Sequence, residues 1–446
     1  MEGTFVSSAP GAVGFREALR FWFKLGCISF GGPAGQIAIM HRELVERRHW
    51  ISERRFLHAL NYCMVLPGPE AQQLATYIGW LLHGTRGGIA AGALFVLPSL
   101  LLLVALSWIY VRFGEVPFVR ALLEGVKPAV VAIVLAAAWR IGTRTIRSLP
   151  LAAIALAAFV ALAVFAAPFP AVVAVAALLG WIGSRFVPSA FAPPSHSAPG
   201  AAPHVPAVID DDTPSPEHAR FSRGRLAGIV LVFLALWAAT LGVLAFAFGW
   251  HGDFSRMAVF FTQAALLTFG GAYAVLPYVV QGAVEQYGWL GAAQMIDGLA
   301  LGETTPGPLI MVVAFVGFLG GWTKGLLGSG ALFAAGALGA TIATWFTFLP
   351  SFLFILAGGP LVEGTRNDAR LTAPLTAITA AVVGVIVSLA VYFGAHVFWK
   401  PAGFDVVSAM IAAAALLALT RYRVGVIPVI ASSGLAGLAA WVQRGL

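Results

Sequence analysis

Phe30-Gly31-Gly32-Pro33, followed by Trp50 and then by Pro67-Gly68-Pro69, decides the fold because it occurs twice. The second copy reads Phe269-Gly270-Gly271, Trp289 and Pro306-Gly307-Pro308, with every landmark displaced by 239 residues. A Gly-Gly or Pro-Gly-Pro interruption gives up backbone hydrogen bonds that lipid cannot replace. Two such breaks kept in each of two copies indicate a cavity that uses the freed backbone. Duplicated halves with helices broken at membrane depth are the mark of a secondary transporter.

The surrounding composition agrees. The chain is 59% hydrophobic and only 10% charged, against roughly 25% charged in a soluble domain. Residues 94–111, 129–138, 151–167, 226–248 and 331–356 lie in apolar runs that reach the ~20 residues needed to cross a bilayer. The expected class is an all-α polytopic membrane protein. The net charge of +8 comes from arginines in short loops, which is an orientation signal rather than a nucleic-acid footprint. Cys27 and Cys63 show neither metal-ligand spacing nor a disulfide framework. Small buried apolar residues are the simpler reading of both. Residues 1–14 lack a cationic start followed by an apolar core, so no cleaved signal peptide is expected.

Three segments follow. Residues 1–186 form a first repeat domain, 187–223 a linker, and 224–446 an extra span plus a second repeat domain. The linker is rich in Pro, Ala and Ser and carries Asp210-Asp211-Asp212, so it is expected to be disordered. Its histidines, His196, His204 and His218, are read as scattered rather than metal-binding. Leu97-Pro98-Ser99 matches Leu349-Pro350-Ser351, and Ala129-Val130-Val131 matches Ala381-Val382-Val383, both at an offset of 252 residues. The run 226–248 has no counterpart.

Loop charge then orients the halves. Arg42, Arg47, Arg48, Arg54 and Arg55 follow the first break, whereas 281–294 has no Lys or Arg. Arg421 and Arg423 join the last two apolar runs, whereas the matching 168–170 is uncharged. Positive loops stay cytoplasmic, so the repeats are expected to be inverted, with the extra span supplying the flip. One count makes the broken segments re-entrant, with four full spans after them in each half. Arg140, Arg144, Arg147, Arg366 and Arg370 then face the cytoplasm, and Arg112, Arg120 and Lys127 lie outside. If the broken segments cross fully, the count rises to about thirteen.

The site is expected at the breaks. A helix must stop before Pro, and a new one can start there with free N–H groups and a partial positive charge. Flexible Gly-Gly backbone lets an anion approach closely. Four half-helix starts from Gly31, Gly32, Pro33, Pro67, Gly68, Pro69, Gly270, Gly271, Pro306, Gly307 and Pro308 would suit a small oxyanion. Ser29 and Thr268 occupy matching positions, and either hydroxyl donates to an anion or bonds back to its own helix. Gln36, Asn61, Gln72, Gln73, Thr76, Thr304 and Thr305 add hydrogen-bonding groups. Glu70 and Glu303 are ionisable at membrane depth and are the candidates for proton coupling. Lys24, Lys127 and Arg140 are candidate counter-charges, though snorkelling to the interface suits Lys24 and Arg140.

Phe30-Gly31-Gly32-Pro33 with Leu66-Pro67-Gly68-Pro69-Glu70-Ala71-Gln72-Gln73, and Phe269-Gly270-Gly271 with Glu303-Thr304-Thr305-Pro306-Gly307-Pro308, resemble the long-chain chromate ion transporter family. The resemblance covers both halves and leaves out the linker. It implies a bacterial inner-membrane protein of two homologous domains that exports chromate, with sulfate as the structural analogue. Ala272 stands where the first copy has Pro33, so the two sites need not be equivalent. No ATP is needed for export, no P-loop is present, and no cofactor is expected. Lipid and the oxyanion are the expected partners, without nucleic acid; a homodimer is left open. The competing readings are an anion channel and an intramembrane enzyme. For the latter, Ser329 lacks an obvious partner in His251 or His396.

Overall fold

The computed structural model describes residues 11–191, 206–211, 213, 216–364, 372–401 and 403–443. Its helices stop where Gly and Pro require it. The first half runs α1 (Phe15–Ile28), α2 (Gly32–His41), α3 (Glu53–Val65), α4 (Glu70–Phe113), α5 (Pro117–Thr145), α6 (Leu149–Ala163) and α7 (Phe169–Phe186). After α8 (Arg223–Phe248) the second half runs α9 (Asp253–Leu266), α10 (Ala272–Val280), α11 (Ala292–Thr304), α12 (Val312–Thr323), α13 (Leu332–Gly364), α14 (Thr372–Phe398), α15 (Val406–Thr420) and α16 (Val426–Gln443). The halves repeat element by element. Both α2 and α10 even run on into a π-helical turn, at Arg42–Arg47 and Gln281–Gln286. The single α4, kinked at His83 and Gly84, stands for the separate α12 and α13. Among the described elements, α8 and the short antiparallel pair Trp399–Lys400 and Gly403–Phe404 have no equivalent.

The helices next to the breaks are short. Helices α1, α2 and α3 have 14, 10 and 13 residues, and α9, α10, α11 and α12 have 14, 9, 13 and 12. At 1.5 Å per residue none reaches across a hydrocarbon core of about 30 Å. Among the described residues, seven helices are long and apolar enough to cross: α4, α5, α7, α8, α13, α14 and α16. The apolar α6 and α15, at 15 residues each, are hardly longer than α1 and α9.

The halves are interleaved rather than side by side. Helices α5 and α14 pack on each other, α15 and α16 cover α5, and α6 and α7 cover α14. The close approaches are made at glycine and repeat across the halves. A Cβ on Gly180 of α7 would lie 2.6 Å from Ala377 Cβ of α14, and one on Gly125 of α5 would lie 2.6 Å from Gly437 Cα of α16. Small residues at helix contacts are what a membrane interior favours, since packing there has no hydrophobic drive. The central stretch of α5 is accordingly 72% buried, against 11% for the peripheral α8.

Within the 187–223 stretch, residues 207–209 are tied to the first half. Val208 N–H donates to His49 O at 2.9 Å, Ile209 N–H to Trp50 O at 3.0 Å, and Ser52 N–H to Ile209 O at 2.9 Å. Ser52 Oγ also donates to Asp211 Oδ1 at 2.6 Å. Ala207, Ile209 and Ala219 are buried against the first half. A short apolar run inside a polar, Pro-rich segment is enough to dock it. His196, His204, Asp212, Arg366 and Arg370 lie outside the described residues.

His218 helps hold this strap, its Nε2 2.8 Å from Trp80 O and its ring edge-on to the Trp80 indole. Burial there pulls its pKa below the ordinary histidine value. The undocked strap therefore takes up a proton first, and docking weakens as pH falls below about 6.5. Amide exchange, corrected for its intrinsic pH dependence, should show protection at 207–209 and 217–219 falling between pH 7 and pH 5.5. His218→Gln should remove that fall; a pH-independent wild-type strap would contradict the assignment.

Candidate functional site

The four breaks meet in a reciprocal crossing. The N–H of Gly68, in the first Pro-Gly-Pro, donates to Thr268 O just before the second Phe-Gly-Gly, at 2.8 Å. The N–H of Gly307, in the second Pro-Gly-Pro, donates to Ser29 O just before the first Phe-Gly-Gly, also at 2.8 Å. Each break thus supplies the backbone partner that a break in the other half lacks. Gly68 and Gly307 hold φ of 125° and 108°, which an L side chain resists. Gln36 braces the second bond, its Nε2 donating to Gly307 O at 2.5 Å and Ser29 O at 3.3 Å.

Helix starts gather around this crossing. Helix α4 begins at Glu70 with Pro69 as its N-cap, one position before the first-turn place expected for that proline. The turn Leu309–Met311 begins after Pro308 and touches both α4 and α10, while α2 touches α4. Ser29, Gln36, Gln72, Gln73 and Thr268 are at most 1% exposed, so the crossing is sealed from solvent. Gln72 donates to Thr76 Oγ1 at 3.0 Å and Gln73 to Pro67 O at 2.8 Å.

Some expected residues play a different part. The hydroxyls of Ser29 and Thr268 donate to Leu25 O and Ala264 O of their own helices, at 2.6 and 2.7 Å. Thr305 Oγ1 likewise turns back to Gly302 O at 3.1 Å. What Ser29 and Thr268 give the crossing is their carbonyls. Gly31 is exposed, and a Cβ on Gly31 or Gly32 would meet nothing within 4 Å, so with Pro33 they edge the first break rather than fill it. Gly270 and Gly271 are more enclosed. A Cβ on Gly271 would lie 3.9 Å from Glu70 Oε1, and one on Gly270 3.8 Å from Thr379.

The two carboxylates converge on that second Gly-Gly. Glu70 reaches it from the other half, and Glu303 accepts a hydrogen bond from Tyr273, two residues after Gly271. Arg140 is near enough for its charge to act on Glu303 and Tyr273, although its own side chain is exposed. Lys24 is exposed on α1. Lys127, counted outside by loop charge, is drawn inward to Glu124 at 2.6 Å and Asp297 at 3.9 Å. Arg55 is not a loop charge either. It lies on α3 and pairs at 2.8 Å with Glu363 of α13, both side chains at most 5% exposed. Cys63 is fully buried and Cys27 partly so.

Sequence reasoning passed over Tyr273, Asp297 and the Arg55–Glu363 pair. Asp297 had a signal, an acidic residue in the apolar stretch Met295–Leu299, where a charge marks function or pairing. Tyr273 had none, since its counterpart in the first half is Ala34.

The sequence matches the family model for chromate transporters over residues 16–181 and 255–438. The chain belongs to the chromate transporter family. In this transporter the matched segments begin at α1 and α9 and end within α7 and α16, leaving out the strap and α8. It is 32% identical over 446 residues to the chromate transport protein of Pseudomonas aeruginosa, covering 98% of this chain and 95% of that one. It is 28% identical over 428 residues to the chromate transport protein of Cupriavidus metallidurans, covering 96% and 93%. It is also 28% identical over 388 residues to a probable chromate transport protein of Synechococcus elongatus, covering 86% and 85%. No solved structure matches. The protein is a multi-pass transporter of the cytoplasmic membrane and not an enzyme. Ser329 is exposed in a turn, which leaves nothing to the intramembrane-hydrolase reading.

Proposed function

We propose that the chain exports chromate, or a dianion of the same tetrahedral shape, by exposing the crossing of its four breaks alternately to the two sides of the membrane. The observation that carries this is the reciprocal pair Gly68–Thr268 and Gly307–Ser29. It ties the helix starts of both halves into one sealed place where N–H groups and positive dipole ends favour an anion. Relatives over nearly the whole length are named chromate transport proteins. The contrast between Arg42, Arg47, Arg48 and Arg54 after the first break and the absence of Lys or Arg in 281–294 supports inverted repeats. Interleaved repeats of that kind can rock about a fixed site.

Export runs with the field. One charge moved through 100 mV is worth about 2.3 kcal/mol, so a dianion leaving an inside-negative cell gains roughly twice that. Glu70 and Glu303 would repel the dianion when ionised, and taking up a proton would remove the repulsion. This is the route by which H⁺ enters the cycle.

Chromate uptake into inverted membrane vesicles, under an imposed potential and with or without a pH gradient, tests the reading. Uptake should saturate, and competition with sulfate should show whether shape alone is recognised. Glu303→Gln cannot exchange a proton at that position, so the pH dependence of its uptake should change more than its half-saturation. A wild-type pH profile in that variant removes Glu303 from coupling. Non-saturating flux indifferent to the anion would make the protein a channel.

A further inference from the structure

We propose that Ser99 and Ser351 are the hydroxyl donors of the oxyanion site, one from each half, each holding one oxygen of the tetrahedral dianion. This rests on reading the crossing as the transport site.

Their placement is reciprocal. A Cβ built on Gly307 would lie 2.9 Å from Ser99 Oγ, and one on Gly68 would lie 2.5 Å from Ser351 Oγ. Each hydroxyl therefore rests against the Pro-Gly-Pro glycine of the opposite half. Ser99 falls halfway along the 84–113 limb of α4, and Ser351 close to the middle of α13, the depth at which a transported ion is held. Each follows a helix proline, Pro98 or Pro350.

Their protons are uncommitted. Ser99 is 0% and Ser351 1% exposed, and neither Oγ has a hydrogen-bond partner. Helical hydroxyls nearby do have one, since Thr76, Thr344 and Thr347 each bond to the carbonyl four residues back. Each Pro-Gly-Pro glycine is thus flanked by one idle hydroxyl. A buried polar group without a partner destabilises a fold, so a hydroxyl kept this way at both symmetry-related places points to a ligand that satisfies it. Neutral donors also suit a transporter, because they hold a dianion without a fixed cation that would slow its release.

The test measures labelled chromate uptake into inverted vesicles together with thermal stability in detergent. Ser99→Ala and Ser351→Ala should each raise half-saturation by about tenfold or more, the usual effect of losing a hydrogen bond to a charged group. Stability should be unchanged or higher, because an unsatisfied atom has been removed. Ser107→Ala is the control. It also removes a buried, unpartnered hydroxyl from α4, but two turns further along, so uptake should not change. Half-saturation within twofold of wild type in both alanine variants, with Gly307→Leu inactive, overturns the serine assignment and leaves the site standing. Loss of stability in parallel with uptake also overturns it, since the role would then be structural. Wild-type uptake by Gly307→Leu instead removes the site reading and the assignment with it.

Discussion

Gly307→Leu should reach the membrane in normal amount and transport no chromate. Its φ of 108° lies where a side chain costs about 1–3 kcal/mol in backbone strain. Space is the larger obstacle. A Cβ there would sit 2.7 Å from Ser99 Cβ and 2.9 Å from Ser99 Oγ, in the middle of a long helix that cannot step aside. The Pro-Gly-Pro turn must move instead. It would lose the bond to Ser29 O at 2.8 Å and the brace from Gln36 at 2.5 Å. Insertion depends on the apolar legs, which are untouched. The mirror variant, Gly68→Leu, meets Ser351 Oγ at 2.5 Å and Gln73 Nε2 at 2.6 Å and should fail in the same way. Gly228→Leu on α8 is the contrast, because nothing lies within 4 Å of its Cβ position. Immunoblots of the membrane fraction beside vesicle uptake decide this. Normal uptake in either break variant would mean that the crossing is not where the anion passes.

Much of this arrangement was legible because the landmarks are backbone requirements. Gly307 and Gly68 must be glycine and Pro67 must end a helix whatever surrounds them, so a 239-residue period in such residues reports repeated structure directly. The partners across the crossing were not legible. An offset says that Gly68 and Gly307 are equivalent, and it does not say that Gly68 reaches Thr268 rather than Ser29. That choice is made by how α4 and α13 pass each other, and no local signal encodes it.

The misses have the same origin. Ser99 was visible as a repeat marker in Leu97-Pro98-Ser99, but a serine in an apolar helix ordinarily bonds back to its own turn, so its idle hydroxyl needed the packed structure to be seen. The docking run 207–209 was not legible because composition averages over 187–223, and the run is too short to move the average. Tyr273 is invisible to any comparison of the halves, because it belongs to what distinguishes them. With Glu70 and Glu303 it makes the second Gly-Gly acidic, whereas no described atom lies within 4 Å of a Cβ on Gly31 or Gly32. The two halves share one frame and divide the chemistry between them.

Arg55→Met should lower stability by about 3–5 kcal/mol. By sequence Arg55 stands among loop arginines. In the fold its side chain is 5% exposed and that of Glu363 3%, with Nη1 to Oε2 at 2.8 Å. Tyr77 donates to the other carboxylate oxygen at 2.5 Å. Removing the guanidinium takes a buried positive charge away from a buried carboxylate. Arg47–Glu43 marks the other extreme, with Arg47 63% exposed, where about 0–1 kcal/mol is the usual worth of a pair. The ion pair joins α3, which leads into the first Pro-Gly-Pro, to α13, which carries Ser351 across the crossing. It therefore sets the distance between the two halves at one end of the site. Replacing both partners by apolar residues, as in Arg55→Met with Glu363→Leu, removes that carboxylate as well and should recover most of the lost stability. Thermal unfolding in detergent for the two single variants and the double gives the coupling directly. A loss below about 1 kcal/mol in Arg55→Met would put this pair with the exposed ones, and the α3–α13 contact would then have to be held by packing alone.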